Sequence, residues 1–166
     1  MTNVYALSDY IVTISNIPTS IISSTTHSIG GPGQNGYEGS FLDEITIQRS
    51  NTTFNTTGDS TGSWVHDKSL NRVGTVTISI NQISSDVITL ATIFSAFENN
   101  HTSVYRKGLT IKVTPAYDTT LIVAQCYDCF ITQVPNQVLG SQAQNQSWEL
   151  TCGRVEFYPN GMSAND

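Results

Sequence analysis

The clearest order in the chain is an alternation. From Gly74 to Ile80, Val76, Ile78 and Ile80 fall on one side and Thr75, Thr77 and Ser79 on the other, the period of two that a strand with one buried and one wetted face requires. Glu44 to Ser50 repeats it, with Ile45, Ile47 and Arg49 on one face and Glu44, Thr46 and Gln48 on the other. The short β-branched run Tyr10 to Ser15 predicts a first strand, ended by Asn16-Ile17-Pro18. Thr110–Thr114, Leu121–Val134 and Ser147–Tyr158 predict later strands, divided by Pro115–Thr120 and by a loop at Pro135–Gln146. In the last of these the apolar face shifts from Trp148 and Leu150 to Val155 and Phe157, and Gly153 at the shift predicts a β-bulge.

Helical spacing occurs once, from about Ser85 to Phe97, where Val87, Leu90, Ala91, Phe94 and Phe97 recur three and four residues apart. Ser84 or Ser85 can cap its start, Asp86 suits the positive end of the helix dipole, and Asn99-Asn100 can end it. Such a helix should lie across a sheet. Thr52–Thr57, directly after the strand at 44–50, predicts a β-hairpin, followed by a Gly58–Gly62 turn and a short strand at Ser63–His66. Residues 18–40, with Gly30-Gly31-Pro32-Gly33, follow neither period and predict a long loop or arm.

Composition narrows the class. The 166 residues fit one domain, 1–166. Only 12% are charged, so the abundant Ser, Thr, Asn and Gln must supply much of the polar surface. Thirteen acidic against seven basic residues give a net charge of -6. That argues against tight nucleic-acid binding, which needs Lys and Arg to displace counterions from phosphates, yet leaves room for an acidic wall that DNA slides past. The first residues lack the charge and apolar runs of an export signal, and no apolar stretch approaches the roughly 18 residues of a membrane span. Export and a membrane anchor are not expected, and the three cysteines are expected as free thiols in a reducing compartment.

Candidate chemistry is sparse. Cys126-Tyr127-Asp128-Cys129 is a C-x-x-C inside a strand-like run, where residues three apart point to opposite faces. Without a local turn the two thiols could neither chelate one metal nor form an unstrained disulfide, so buried structural thiols are expected, with Cys152 alone and the histidines dispersed at 27, 66 and 101. Asp43 and Glu44 are adjacent and face opposite ways, unlike a glycosidase pair. No G-x-S-x-G elbow or phosphate loop is present, and His66-Asp67-Lys68 reads as a mixed-charge turn. The Asn-x-Ser/Thr matches arise by composition. No catalytic residue, cofactor or metal is assigned.

The order of several segments resembles the tail tube proteins of Mu-like and related contractile-tailed bacteriophages. It is carried by Ile45-Thr46-Ile47-Gln48-Arg49, Phe54, Thr57-Gly58, Gly62, Val65, Gly74 to Ile80, the Ser84-Ser85-Asp86-Val87 helix entry, Ala124–Pro135 and Asn145–Cys152. The resemblance spans about Asp9 to Tyr158 and departs at the Gly- and Ser-rich arm. It implies an all-β fold, a β-sandwich or barrel with one flanking α-helix, in which six copies form a ring and rings stack into a tube inside a contractile sheath. The implied partners are further copies of the chain, the sheath, a tape-measure protein, baseplate and tail terminator proteins, and DNA in transit. The implied location is the virion tail, assembled in the host cytoplasm. Glu44, Thr46 and Gln48 are the candidate lumen-facing residues, and Gly30, Gly31, Pro32 and Gly33 the candidate arm between subunits. A tube subunit of a tailocin or other contractile injection device, and a carbohydrate-binding β-sandwich, are the competing expectations.

Overall fold

The computed structural model describes residues 10–30, 42–116 and 120–163. The alternation read at Gly74 becomes strand β6, Gly74–Asn81, where buried and half-buried residues alternate without exception. Val76, Ile78 and Ile80 are fully buried. On one side β6 pairs with β3, Leu42–Arg49, and on the other with the long last strand β9, Asn145–Ser163. From β9 the sheet continues through β8, Leu121–Gln133, β7, Leu109–Pro115, and β1, Tyr10–Ser15, to β2, His27–Gly30. Every pairing is antiparallel. Among the described residues two strands remain, β4 at Phe54–Gly58 and β5 at Trp64–Lys68, and they pair only with each other.

One apolar cluster joins side chains from β1 and β2 at one edge to β6 on the far side, so the seven strands curl around a shared core. Trp148 is its largest fully buried side chain. The helix α1, Ser85–Asn99, lays Leu90 and Ile93 into this core, with Val87, Phe94 and Phe97 packed half-buried against it. Burying Leu90 and Ile93 contributes about 1.5–3 kcal/mol each. Ser84 caps the helix by accepting from the Asp86 N–H at 3.3 Å. Ala91, counted inward by spacing, is exposed, and Ile93, not singled out, is buried. The all-β fold with one flanking helix is what the strand periodicity and the resemblance led one to expect.

Three local expectations are corrected. Residues 18–40 are not loop throughout: His27–Gly30 is a strand paired with β1, Val12 opposite Ile29. Four residues are too short to show a period, but Ile29 is fully buried and the intervening turn is tied down. Asn16 and Thr25 take φ of 61° and 62°, the Ile17 N–H donates to Thr25 O at 3.1 Å, and Ile17 is buried. Gly31, Pro32 and Gly33 lie outside the described residues.

The second correction concerns the hairpin. Thr52–Thr57 does not pair back on β3; β4 pairs with β5, and β3 finds its partner in β6, twenty-five residues from the end of one to the start of the other. A buried apolar face on β6 outcompetes the local partner, because Phe54–Gly58 has little apolar surface to bury.

The third lies at Gly153. The inward face does change there, running Trp148, Leu150, Cys152 and then Val155. Strand β8 changes at the same level, from Ala124 and Cys126 to Cys129. Pairing between the two strands therefore stays in step from Ala124–Phe157 to Ile131–Leu150, and the register shift appears between β8 and β7 instead, at Leu109/Ile111. Asp128 makes the turn possible, with φ of 56° and Oδ1 accepting from the Gly108 N–H at 2.9 Å. Phe157, expected inward, is 42% exposed.

Candidate assembly surfaces

The outer face of β3, β6 and β9 is built from short hydroxyl side chains. Strand register aligns Gln48, Thr75 and Thr151 in one row, Thr46, Thr77 and Glu149 in the next, and Glu44, Ser79 and Ser147 in a third. Glu44, Thr46 and Gln48 are exposed, and Thr46 Oγ1 donates to Glu44 Oε1 at 3.1 Å. These rows hold two carboxylates and no Lys or Arg. Sequence periodicity found the β3 third of this face; the β9 third was hidden because its partner strand was unknown.

The β4–β5 hairpin is exposed at all ten positions. Cross-strand register puts Phe54 and Trp64 on one of its faces and Val65 on the other, at 61%, 67% and 60% exposure. Its turn is well made: Asp59 Oδ1 accepts from the Thr61 N–H at 2.9 Å, the Thr61 hydroxyl at 2.7 Å and the Ser63 N–H at 3.0 Å. Those bonds, the Thr61 hydroxyl first, hold the Asp59 carboxyl below its ordinary value. A two-stranded ribbon alone is marginal in water, so an aromatic hairpin held clear of the core is suited to packing on another molecule.

The three cysteines come together. Register sets Cys129 opposite Cys152, and the Asp128 turn brings Cys126 to the same buried side, contrary to the opposite-face expectation from a regular strand. The bond to Cys152 and burial push the Cys126 thiol up. For Cys152, a bond from Cys126 favours the thiolate, but the bond to Cys129 and burial outweigh it, and the net direction is upward. All three are free, buried cysteines that pack as small apolar groups. Among the described residues, no group of three His, Cys, Asp or Glu side chains is arranged to hold a metal ion.

His27 Nε2 lies 2.6 Å from Asp86 Oδ1, joining β2 to the first turn of α1. Asp86 also accepts from the Ser84 hydroxyl at 3.0 Å. Local order in the sequence placed Asp86 at the helix start but could not pair it with His27.

Beyond the Gln48, Thr75 and Thr151 row, three arginines converge on Glu156. Arg154 Nε donates to Oε1 at 2.8 Å, Arg72 Nη1 to the same oxygen, and Arg49 Nη2 to Oε2 at 3.4 Å. Arg49 also donates from Nε to Val155 O at 2.9 Å. Arg49 sits over Phe157 and Arg154 over Tyr127, 5.7 and 5.2 Å from the ring centroids. Burial raises the Glu156 carboxyl, but hydrogen bonds and charge from Arg154 and Arg72 outweigh it, leaving it below its ordinary value of 4.5. A carboxyl lowered by folding contributes stability that is complete above that value and lost as pH falls through its folded value. The difference in unfolding free energy between wild type and Glu156→Gln is therefore expected to be constant from pH 7 to about 5 and to shrink below 4.5. Urea titrations across that range would show it; a difference that grows on acidification would be incompatible with this account.

Residues 15–158 match the family model described as the bacteriophage PhiTE tail tube protein. The chain belongs to this tail tube family. As a tail tube protein it is a structural component of the virion tail. Comparison with curated proteins finds no match. Among solved structures, it is similar to a chain of the sheath–tube complex of PVC, an extracellular contractile injection system, in the extended state. That pair has 12% identity over 93% of this chain and 90% of the other, with TM-score 0.50. It is also similar to a chain of the six-fold symmetrised baseplate of the anti-feeding prophage, at 9% identity over 96% and 98%, with TM-score 0.53. At such identities what is shared is the fold: this tail tube protein and these two chains have one architecture.

Proposed function

We propose that six copies of this tail tube protein form a ring, and that rings stack into a hollow tube inside a contractile sheath, through which DNA leaves the virion. The observation that carries this reading is membership of the tail tube family over 144 residues, 15–158. The fold shared with chains from a sheath–tube complex and a baseplate supports sheath and baseplate proteins as neighbours. A tape-measure protein and a tail terminator complete the expected partners, with assembly in the host cytoplasm, and the chain acts as one domain without enzymatic activity. A tube subunit of a contractile injection device is the second reading, supported by the same two structures.

The hydroxyl-rich face carrying Glu44, Thr46 and Gln48 is proposed to line the lumen. Its hydroxyls and amide offer only neutral, exchangeable bonds, so DNA would pass without being held. The segment around Gly30–Gly33 and the β4–β5 hairpin are proposed to reach neighbouring subunits. In a tube, neighbours would also cover sheet edges that a free subunit leaves unpaired.

Negative-stain electron microscopy of the purified full chain over a concentration series tests this, with hollow rods or six-fold rings expected. The double variant Phe54→Ser/Trp64→Ser should keep its circular dichroism spectrum and raise the concentration needed for assembly at least tenfold, since about two aromatic anchors per contact are lost. A wild-type chain that stays monomeric at every concentration would count against the tube.

A further inference from the structure

Strands β3 and β9 are charged oppositely at their two ends. Strands β3 and β9 run in the same direction, both antiparallel to β6 between them. Each carries a glutamate and, five residues on, an arginine: Glu44 and Arg49, Glu149 and Arg154. With Asp43 the carboxylates gather at one end and, among the residues in the three rows there, meet no cation. At the other end stand Arg49, Arg72 and Arg154, three of the seven cations of a chain whose net charge is -6.

The charges within the arginine end do not cancel. Glu156 faces all three guanidiniums, and the Asp128 carboxylate, opposite Gly153, is engaged with the Gly108 N–H. Lys112 adds a further cation in the row of Gln125 and Glu156. Each guanidinium offers about five N–H donors, and Glu156 with the Val155 carbonyl receives bonds from four nitrogen atoms of the three. Arg154 and Arg72 keep side-chain exposures of 58% and 42%. They border an open depression lined by Leu70, Arg72, Gly153 and Arg154.

Five residues of strand separate each glutamate from the arginine of its own strand by about 17 Å, whereas Glu149, level with Thr46, lies three residues or about 10 Å from the level of Arg49, close to the Debye length of about 8 Å at physiological salt. Within one subunit no ion pair joins the two ends among the described residues, and each is left to an external partner. We infer that the partner is a second copy of this chain: the arginine end of one subunit docks on the Asp43, Glu44 and Glu149 end of the next. Two complementary patches at different places on one molecule make a head-to-tail contact, which propagates into rings or filaments rather than closing a dimer. The inference rests on the tube reading and adds the contact that would order its subunits.

The test uses purified full chain, with assembly followed by sedimentation and electron microscopy. Raising sodium chloride from about 0.05 to about 1 M shortens the Debye length several-fold, and should raise the assembly threshold of wild type at least tenfold. Arg154→Glu and Glu149→Arg should each raise it at least tenfold, and the two together in one chain should bring it back toward wild type. Arg154 is the most exposed of the three arginines, with Arg49 and Arg72 still on Glu156, and circular dichroism melts would confirm that the variants fold. Arg154→Gln and Glu149→Gln supply milder neutralisations with the same expected direction. Rods that ignore both salt and these substitutions would overturn the inference and leave the tube intact, as would single reversals that the double variant fails to rescue. DNA or sheath protein binding lost in Arg154→Gln, with assembly unchanged, would assign the arginine end to that partner instead. Wild type that forms no rods under any of these conditions would overturn both readings.

Discussion

Trp148→Ala is expected to lower the unfolding free energy by about 3–5 kcal/mol. Trp148 is 1% exposed, opposite Ile78 in the β6–β9 register, and is the largest fully buried side chain of the core. The cost combines lost transfer of the indole from water with a cavity that the rigid sheet on either side cannot collapse. Against a typical stability of about 5–15 kcal/mol, this is a large fraction, and the melting temperature should fall by roughly 6–20 °C at about 2–4 °C per kcal/mol. Trp148→Phe should cost much less, about 1–2 kcal/mol: the ring plane is kept, and the indole Nε1, buried without a hydrogen-bond partner, is removed. Urea unfolding followed by circular dichroism measures both. Equal losses for Ala and Phe would mean that the cavity is not the main source of the loss.

The second large effect is expected at Gly74, where the first residue of β6 sits beneath β3. A Cβ there would lie 2.3 Å from Gln48 O, 2.6 Å from Val155 Cγ2 and 3.2 Å from Arg49 Cα. The valine could rotate, but Gln48 O and Arg49 Cα are backbone, so the end of β3 would have to move away. That displacement threatens the Ser50 N–H to Val73 O bond at 2.9 Å and the reach of Arg49 to Glu156. Gly74→Ala should therefore destabilise by about 3 kcal/mol or more, at or above the upper end of ordinary overpacking. The sign is diagnostic, because Ala in place of Gly in a strand with room for it would stabilise by about 0.5–1 kcal/mol. A neutral or stabilising result in the same urea titration would show that β3 is not held against β6 as closely as these contacts require.

Much of the fold was readable from periodicity. Tyr10–Ser15 matches its strand to the residue, the Gly74 strand needed only one further residue beyond Ile80, and the helix at Ser85 ran two residues longer than its spacing suggested. These segments are legible because a half-buried strand and an amphipathic helix write their period directly into the order of apolar residues. His27–Gly30 was not legible: four residues carry no period, and its strand state comes from pairing with β1. At Thr52–Thr57 the complementary reason applies: adjacency in sequence points to β3 as the partner, while burial gives β3 to β6 and leaves β4 to β5.

The surfaces divide in the same way. Glu44, Thr46 and Gln48 could be named because alternation alone places them on one face, whereas Thr75, Thr77, Glu149 and Thr151 join them only through register between strands. Regular strand geometry would set the two thiols of the C-x-x-C on opposite faces, and one left-handed residue, Asp128, reverses that geometry and gathers Cys126, Cys129 and Cys152 on the buried side. Likewise Arg49, Arg72, Arg154 and Glu156 come from three parts of the chain, so no local pattern announces them.

By itself, then, the amino-acid order determined the all-β character, the single helix and which face of β3 and β6 is wetted, because each depends on residues close together in the chain, and the succession of such segments carried the resemblance to tail tube proteins. Only the tertiary structure decided which strands are neighbours, where the two charged ends lie, and how the thiols meet. Those depend on side chains separated by up to 107 positions, as Arg49 and Glu156 are, brought together by the burial of a common core that no short stretch of sequence contains.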